Sequence, residues 1–328
     1  MGLTEMKCET KIITNGRMGE LVRRSGVFIG LLLLCAALSF LTPFFLTVSN
    51  ILNVIRQTSI IAIVGIGMTF VILTGGIDLS VGSVLALSGV ITAFCIVNYG
   101  WSLALGMFAG LVIGTVFGLA NGVAITGIGL PPFIATLASM SVARGLALVI
   151  TGGRPIFGLP GSFSFWGEGS IGVFPTPIVV MIVAYIIAFA ILRTTRLGLY
   201  CYALGGNEEA ARLSGVNVKK YKMILYSISG FMAGLGGVIL ASRLSCAQPL
   251  AGQGYELDAI AATVIGGTSL SGGEGSIGGT LVGALIMGVL RNGLNLLNVS
   301  AYWQQVAIGL VIAMAVAMDA LRKTRRGV

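Results

Sequence analysis

Long apolar runs separated by short polar or glycine-rich links make up nearly the whole chain. A helix that crosses a bilayer needs about 20 predominantly apolar residues. Runs of that kind fall at 26–46, 57–76, 79–98, 102–126, 131–151, 177–193, 223–242, 257–271, 276–297 and 302–321, the eighth being the shortest. No charged residue occurs between Asp78 and Arg144, so Asn98-Tyr99-Gly100 and the stretch from Gly127 to Pro132 must divide that region. The pattern predicts an all-α polytopic membrane protein of about ten transmembrane helices.

One polar island interrupts it, from Arg193 to Lys222, and charge gives the island a side. Fifteen of the 20 Lys and Arg residues lie in three clusters: five from Lys7 to Arg24, six in the island, and four from Arg322 to Arg326. Basic clusters beside apolar spans mark cytoplasmic flanks; a site for lipid headgroups or an acidic partner is the other reading. With the N-terminus inside, six spans bring the chain back inside at Arg193 and four more at Arg322. Nine or eleven spans would strand one cluster outside. The expected organisation is a cytoplasmic segment 1–25, a membrane domain 26–321 with a cytoplasmic loop 193–222, and a cytoplasmic tail 322–328. Loops Gly152–Pro177 and Arg243–Glu256 are then external. The run 26–46 has full membrane length rather than signal-peptide length, so it is expected to be a retained first span.

Composition removes whole classes of function. The chain is 56% hydrophobic and 9% charged, against about 25% charged in soluble domains. Mean hydropathy is +0.99. The net charge of +9 is accounted for by the flanking clusters and does not point to nucleic acid. There is no His, and Cys8, Cys35, Cys95, Cys201 and Cys246 form no CxxC pair. A zinc site or a His-based triad is therefore not expected, nor is an enzyme. No GxxxxGK[ST] phosphate loop occurs either. Leu270-Ser271-Gly272-Gly273-Glu274, which looks like an ATPase signature sequence, is read as a flexible turn between spans, and the lone GxGxxG at Gly273, Gly275 and Gly278 as part of a packing stripe.

Glycine placement and sparse polar groups supply the candidates inside the membrane. Gly106, Gly110, Gly114, Gly118 and Gly122 recur every fourth residue on the fourth span, and Gly275, Gly279 and Gly283 repeat the pattern on the ninth. Small residues at that spacing let helices approach closely, either within the chain or at a dimer seam. Asp78 stands between two apolar spans as a helix N-cap, a part of the pathway or gate, or a proton site. Asn121, Asn292, Asn295, Gln57 and Gln304 could hydrogen-bond a neutral polyol or each other across helices. Arg144, Arg291, Glu256 and Asp258 are the other charges in or beside spans. Gly75-Gly76-Ile77-Asp78-Leu79-Ser80 is loosely echoed by Gly266-Gly267-Thr268-Ser269-Leu270-Ser271.

Within the island, Asn207 reads as an N-cap, Glu208 and Glu209 suit the positive end of a helix, Ala210, Ala211 and Leu213 favour helix, and Gly215 stops it. A helix of about two turns is marginal alone in water and needs something to hold it.

Glu209-Ala210-Ala211, followed by Arg212 and then by Gly215, resembles the EAA motif of ABC importer permeases, although the later I-x-L-P element is absent. Thr74 to Ser83, Tyr202 to Glu208, Gly254 to Ala262, Gly266 to Gly273 and Asn292 to Leu297 resemble blocks of the ribose/xylose/arabinose/galactose permease group, in order across roughly residues 50 to 300. Ala241 to Ser245 and Ala247-Gln248-Pro249 are most similar to its ribose branch. The resemblance implies a fold like the vitamin B12 importer permease and a coupling helix made of Asn207, Glu208, Glu209, Ala210, Ala211, Arg212 and Gly215. It implies partners as well: a cytoplasmic ABC ATPase that uses ATP and Mg, a periplasmic or lipid-anchored sugar-binding protein, and a second permease copy in the bacterial inner membrane. Asp78, Asn121, Asn292 and Asn295 are its candidate path or gate residues. A permease for another small solute, such as an autoinducer or nucleoside, and a secondary sugar carrier are the rival readings.

Overall fold

A computed structural model describes residues 26–326. The segment 1–25 and the last two residues of the tail lie outside the described residues. The helices are α1 (Gly26–Leu41), α2 (Val48–Leu73), α3 (Val81–Tyr99), α4 (Leu103–Val123), α5 (Pro132–Thr151), α6 (Thr176–Thr194), α7 (Arg196–Gly206), α8 (Glu208–Leu213), α9 (Val218–Arg243), α10 (Tyr255–Ile265), α11 (Ile277–Leu296) and α12 (Ala301–Arg326). Seven of these, α2 to α6, α9 and α11, are long and apolar enough to cross a membrane, counting with α4 the π-helical turn Ala124–Ile128 that extends it. Each of the ten apolar runs coincides with one of α1 to α6 or α9 to α12.

Burial separates core helices from peripheral ones. In α2, 83% of the apolar window is buried, and Ile60 to Leu73 are almost sealed. The α4 and α5 windows are only 22% buried, so their apolar outer faces are left for lipid. Helix α9 packs on α2, α3 and α4, while α10 and α11 pack on each other and on α2.

The glycine stripe of α4 is turned inward. Gly114 lies on Gly230 and Gly234 of α9, Gly118 on Tyr226 and Ser227, and Gly122 on Met223, whereas Gly106 and Gly110 meet Ile96 and Thr92 of α3. On α11, Gly279 and Gly283 press on Gly266 and Ala262 at the end of α10; Gly275 precedes the helix.

Three elements differ from expectation. Helix α10 stops at Ile265, not at 271, because the backbone turns at Gly266 and reaches φ +91° at Gly267. Eleven residues span about 16 Å, half a hydrocarbon core. In the following turn Thr268 and Ser269 are buried, whereas Ser271 and Glu274 are exposed. Helix α2 starts nine residues before its apolar run, at Val48, with the Thr47 side chain accepting from Asn50 N. The polar island holds a second helix, α7, which buries Cys201 and Leu204 and exposes Leu199.

Antiparallel succession gives the bundle two ends. One end carries α8, the α2–α3 turn, the π turn after α4 and the α10–α11 turn. The opposite end carries the 152–175 loop, with a 3-10 turn (Gly161–Trp166) and the hairpin pair β1 (Ser170–Ile171) and β2 (Phe174–Pro175). That loop is tied to the segment after α9 by reciprocal backbone bonds between Ile156 and Ala247 and by Ser242 Oγ donating to Phe163 O at 2.5 Å.

Candidate translocation and coupling sites

At the α8 end, local chemistry builds a capped surface helix. The Asn207 side chain accepts from Ala210 N at 2.9 Å, and Glu208 and Glu209 occupy the first turn. Gly215 takes a left-handed φ of +86°, with Val216 N donating to Ala211 O and Gly215 N to Arg212 O. This is a Schellman stop, and the φ explains the glycine. Only Ala211 is buried; Leu213 is 76% exposed. Arg212 pairs with Glu209 at 2.5 Å, and its hydrogen bond holds the Glu209 carboxyl below the ordinary carboxylate range. Lys222 of α9 pairs with Glu208 at 2.5 Å.

At the same end lies Asp78, a buried acid that makes no ion pair among the described residues. Asp78 accepts from Ser80 N at 3.0 Å, Ser80 Oγ at 2.6 Å and Ser229 Oγ of α9 at 2.8 Å. Asn121 of α4 donates to Ser80 Oγ at 2.9 Å, and Ser139 of α5 donates to Asn121 Oδ1. Thr136 adds a bond to Ile77 O at 3.2 Å. The N-cap position of α3 belongs to Ser80, not to Asp78. Asp78 instead fastens the turn before α3, and Asn121 belongs to the same network, so both join α3, α4, α5 and α9.

The other candidate residues gather at the opposite end. Asn292 and Asn50 exchange amide bonds at 2.8 and 3.0 Å. Asn295 accepts from Gln304 at 2.8 Å. Asn295 and Gln304 line a polar cavity of about 120 Å³ together with Gln57 and Ile61 of α2, Arg243, Tyr255, Gly288 and Arg291. That volume holds several waters, the scale of a small polar solute. Its wall is fixed by Asp258, wholly buried, which pairs with Arg291 at 2.6 Å. Arg243 lies in electrostatic reach of Arg56, Tyr255 and Glu168, and Arg144 donates to Pro249 O and Ala251 O at 2.7 and 2.9 Å.

Sequence reasoning missed Arg243 and Tyr255 as cavity residues. A signal was present: the five basic residues outside the three clusters, Arg56, Arg144, Arg154, Arg243 and Arg291, are all arginine, and the structure puts all five at this end. Arginine is the cation suited to desolvated, multiply hydrogen-bonded positions. Among the described residues no group of three or more acids or cysteines could hold a metal. The described cysteines are free, and Cys201 Sγ lies 3.4 Å from Phe70 O.

Comparison with known proteins places the chain among transport permeases. A family model described as branched-chain amino acid transport system / permease component matches residues 50–316. The ribose import permease protein RbsC of Haemophilus influenzae is 48% identical over 325 residues, covering 98% of this chain and 99% of its own. RbsC of Bacillus subtilis is 50% identical over 300 residues, covering 91% and 93%. The D-allose transport system permease protein AlsC of Escherichia coli is 41% identical over 298 residues, covering 90% and 91%. No solved structure matches the chain. With helices built to cross a membrane, a polar cavity between them, and this similarity along nearly the whole chain, the protein is a multi-pass membrane permease of the branched-chain amino acid transport system / permease component family.

Proposed function

We propose that this chain is the membrane subunit of an ATP-driven bacterial importer for ribose or a closely similar monosaccharide. The observation that carries the reading is the 48% identity to a ribose import permease over 98% of this chain and 99% of the relative. In this reading ten helices cross the inner membrane in a fold like the vitamin B12 importer permease, and both termini are cytoplasmic. Two permease copies enclose a central path. The polar cavity beside Tyr255 and Arg291 faces the periplasm and takes the sugar from a periplasmic or lipid-anchored binding protein. That protein rests on the 152–175 and 244–254 loops. A cytoplasmic ABC ATPase grips α8, and ATP and Mg belong to that partner.

The support from chemistry is consistent. A neutral polyol needs amides, hydroxyls and fixed guanidinium groups more than a net charge, and the cavity supplies Gln57, Asn295, Gln304, Tyr255 and two arginines. The similarity to a D-allose permease at 41% identity makes another monosaccharide the second reading of the substrate. Uptake of radiolabelled ribose into sealed vesicles bearing the complete complex tests both. Uptake should require ATP, persist with an uncoupler, and be competed by unlabelled ribose. Stronger competition by allose would move the substrate, and uptake abolished by the uncoupler would replace the ATPase reading with a secondary carrier.

A further inference from the structure

Three backbone segments meet at the α8 end with no side chain between them. Gly273 N donates to Leu73 O at 2.9 Å, which joins the α10–α11 turn to the end of α2. Gly205, in the last turn of α7, lies against both groups: a methyl there would overlap the Leu73 carbonyl oxygen and the Gly273 nitrogen. A methyl on Gly272 would in turn meet the Gly205 backbone and Gly75 N. Gly206, one residue on, has open space in the same position. One turn earlier, Tyr202 donates its hydroxyl to Gly275 O at 2.9 Å. Helix α7 is thus keyed into both turns, whose sequences echo each other.

The turns lead to every other feature of interest. The α2–α3 turn carries Asp78 and its network into α4, α5 and α9. The α10–α11 turn joins the two helices that carry Tyr255, Asp258 and Arg291 at the cavity. On the other side, α8 buries only Ala211 and is tied to α9 by the Lys222–Glu208 pair. It follows α7 directly through Asn207, whose N–H donates to Ala203 O at 3.1 Å. A displacement of α8 therefore moves the Gly205 end of α7. Backbone against backbone leaves no rotamer to absorb that movement, and close-packed interiors transmit strain.

We propose that Gly205 is a positioning residue for transport, the contact through which movement of α8 is passed to the two turns and so to the helices around the cavity. The proposal rests on the reading of α8 as the helix gripped by the ATPase. The test uses the complete complex in proteoliposomes, with ribose uptake and ATP hydrolysis measured together. Gly205→Ala should keep ATPase co-purification and hydrolysis within about twofold while lowering sugar moved per ATP about tenfold, a typical coupling factor. Gly206→Ala adds the same methyl into open space and should keep the wild-type ratio. Tyr202→Phe leaves the glycine contact intact, removes the bond to Gly275, and should lower the ratio about threefold, the scale of one hydrogen bond. A Gly205→Ala complex that transports like wild type overturns the proposal. So does a parallel loss of hydrolysis and transport at constant ratio, which would make Gly205 a packing residue. Should Gly205→Ala fail to assemble, Tyr202→Phe decides, and an unchanged ratio overturns the proposal. Wild-type vesicles without ATP-driven uptake would defeat the importer reading itself, a failure seen before any variant is compared.

Discussion

Asp258 and Arg291 face each other at 2.6 Å, the carboxylate wholly buried and the guanidinium on the cavity wall. Removing one partner of such a pair leaves an uncompensated buried charge, which costs about 3–5 kcal/mol, whereas removing both is often nearly neutral. Arg291→Met should therefore lower the thermal midpoint of the detergent-solubilised permease sharply. Adding Asp258→Asn should restore more than half of the loss. Equal midpoints for wild type and the single variant would show that the pair contributes little to holding α10 against α11.

The long apolar helices and the capped α8 were legible in the sequence because their signals are local. Asn207 and Gly215 sit at the ends of α8 for reasons contained within nine residues. The end of α10 was not legible. Hydropathy continues past Gly266 and Gly267, and it does not distinguish a membrane helix from irregular backbone. Asp78 reads from the sequence as a helix cap, a part of the pathway or gate, or a proton site; its local bonds to Ser80 N and Oγ suit the first, while its bond to Ser229, 151 residues away, leaves no trace in spacing. The polar candidates belong to two places. Asp78 and Asn121 lie at the α8 end of the bundle, whereas Asn292 and Asn295 lie at the opposite end, a division set by helix direction rather than by residue type.

Ser229 is the link from α9 to the α2–α3 turn. Its hydroxyl donates to a fully buried carboxylate, and such a bond contributes about 1.5–3 kcal/mol. Ser229→Ala should lose stability of that order, while Ser227→Ala, whose hydroxyl bonds only its own helix at Met223 O, should lose little. Denaturation midpoints of the two variants measure the difference, and equal losses would contradict the assignment.

Close approach of α4 and α9 depends on the missing Cβ at Gly118. A side chain there would run into the Tyr226 carbonyl and Ser227 of α9. Gly118→Val should destabilise by about 1–3 kcal/mol or prevent accumulation of folded protein. Gly145→Ala on α5 meets nothing within 4 Å and should be neutral or slightly stabilising. Size-exclusion profiles after graded heating compare them directly.

The cavity predicts a separation between affinity and turnover. Gln304 donates to Asn295 Oδ1 and to Val299 O, so it positions one wall and presents the remaining amide surface to the cavity. Gln304→Leu should raise the sugar concentration for half-maximal uptake up to about tenfold, the scale of one lost hydrogen bond, and leave ATP hydrolysis without sugar unchanged. An unchanged half-maximal concentration would take Gln304 out of the path.

Helix α8 carries the prediction that bears most on partnership. Glu209 and Arg212 are paired at 2.5 Å on an exposed face beside Leu213. Glu209→Lys replaces attraction by repulsion on that face, and Gly215→Pro puts a residue fixed near φ −65° where +86° is needed and removes the N–H bonded to Arg212 O. Both variants should lose ATPase co-purification about tenfold or more while keeping a folded membrane domain, the scale of a truncated buried contact in an interface. The pH dependence has a definite sign. Arg212 depresses the Glu209 pKa, so the pair is fully formed above the unfolded carboxylate value and is lost only as pH falls through the depressed folded value. Co-purification through this pair should therefore be flat from about pH 8 down to pH 5, above the ordinary carboxylate range, and weaken only below it. A loss centred between those values would assign the contact to some other group, and co-purification unaffected by either variant would show that the ATPase does not grip α8.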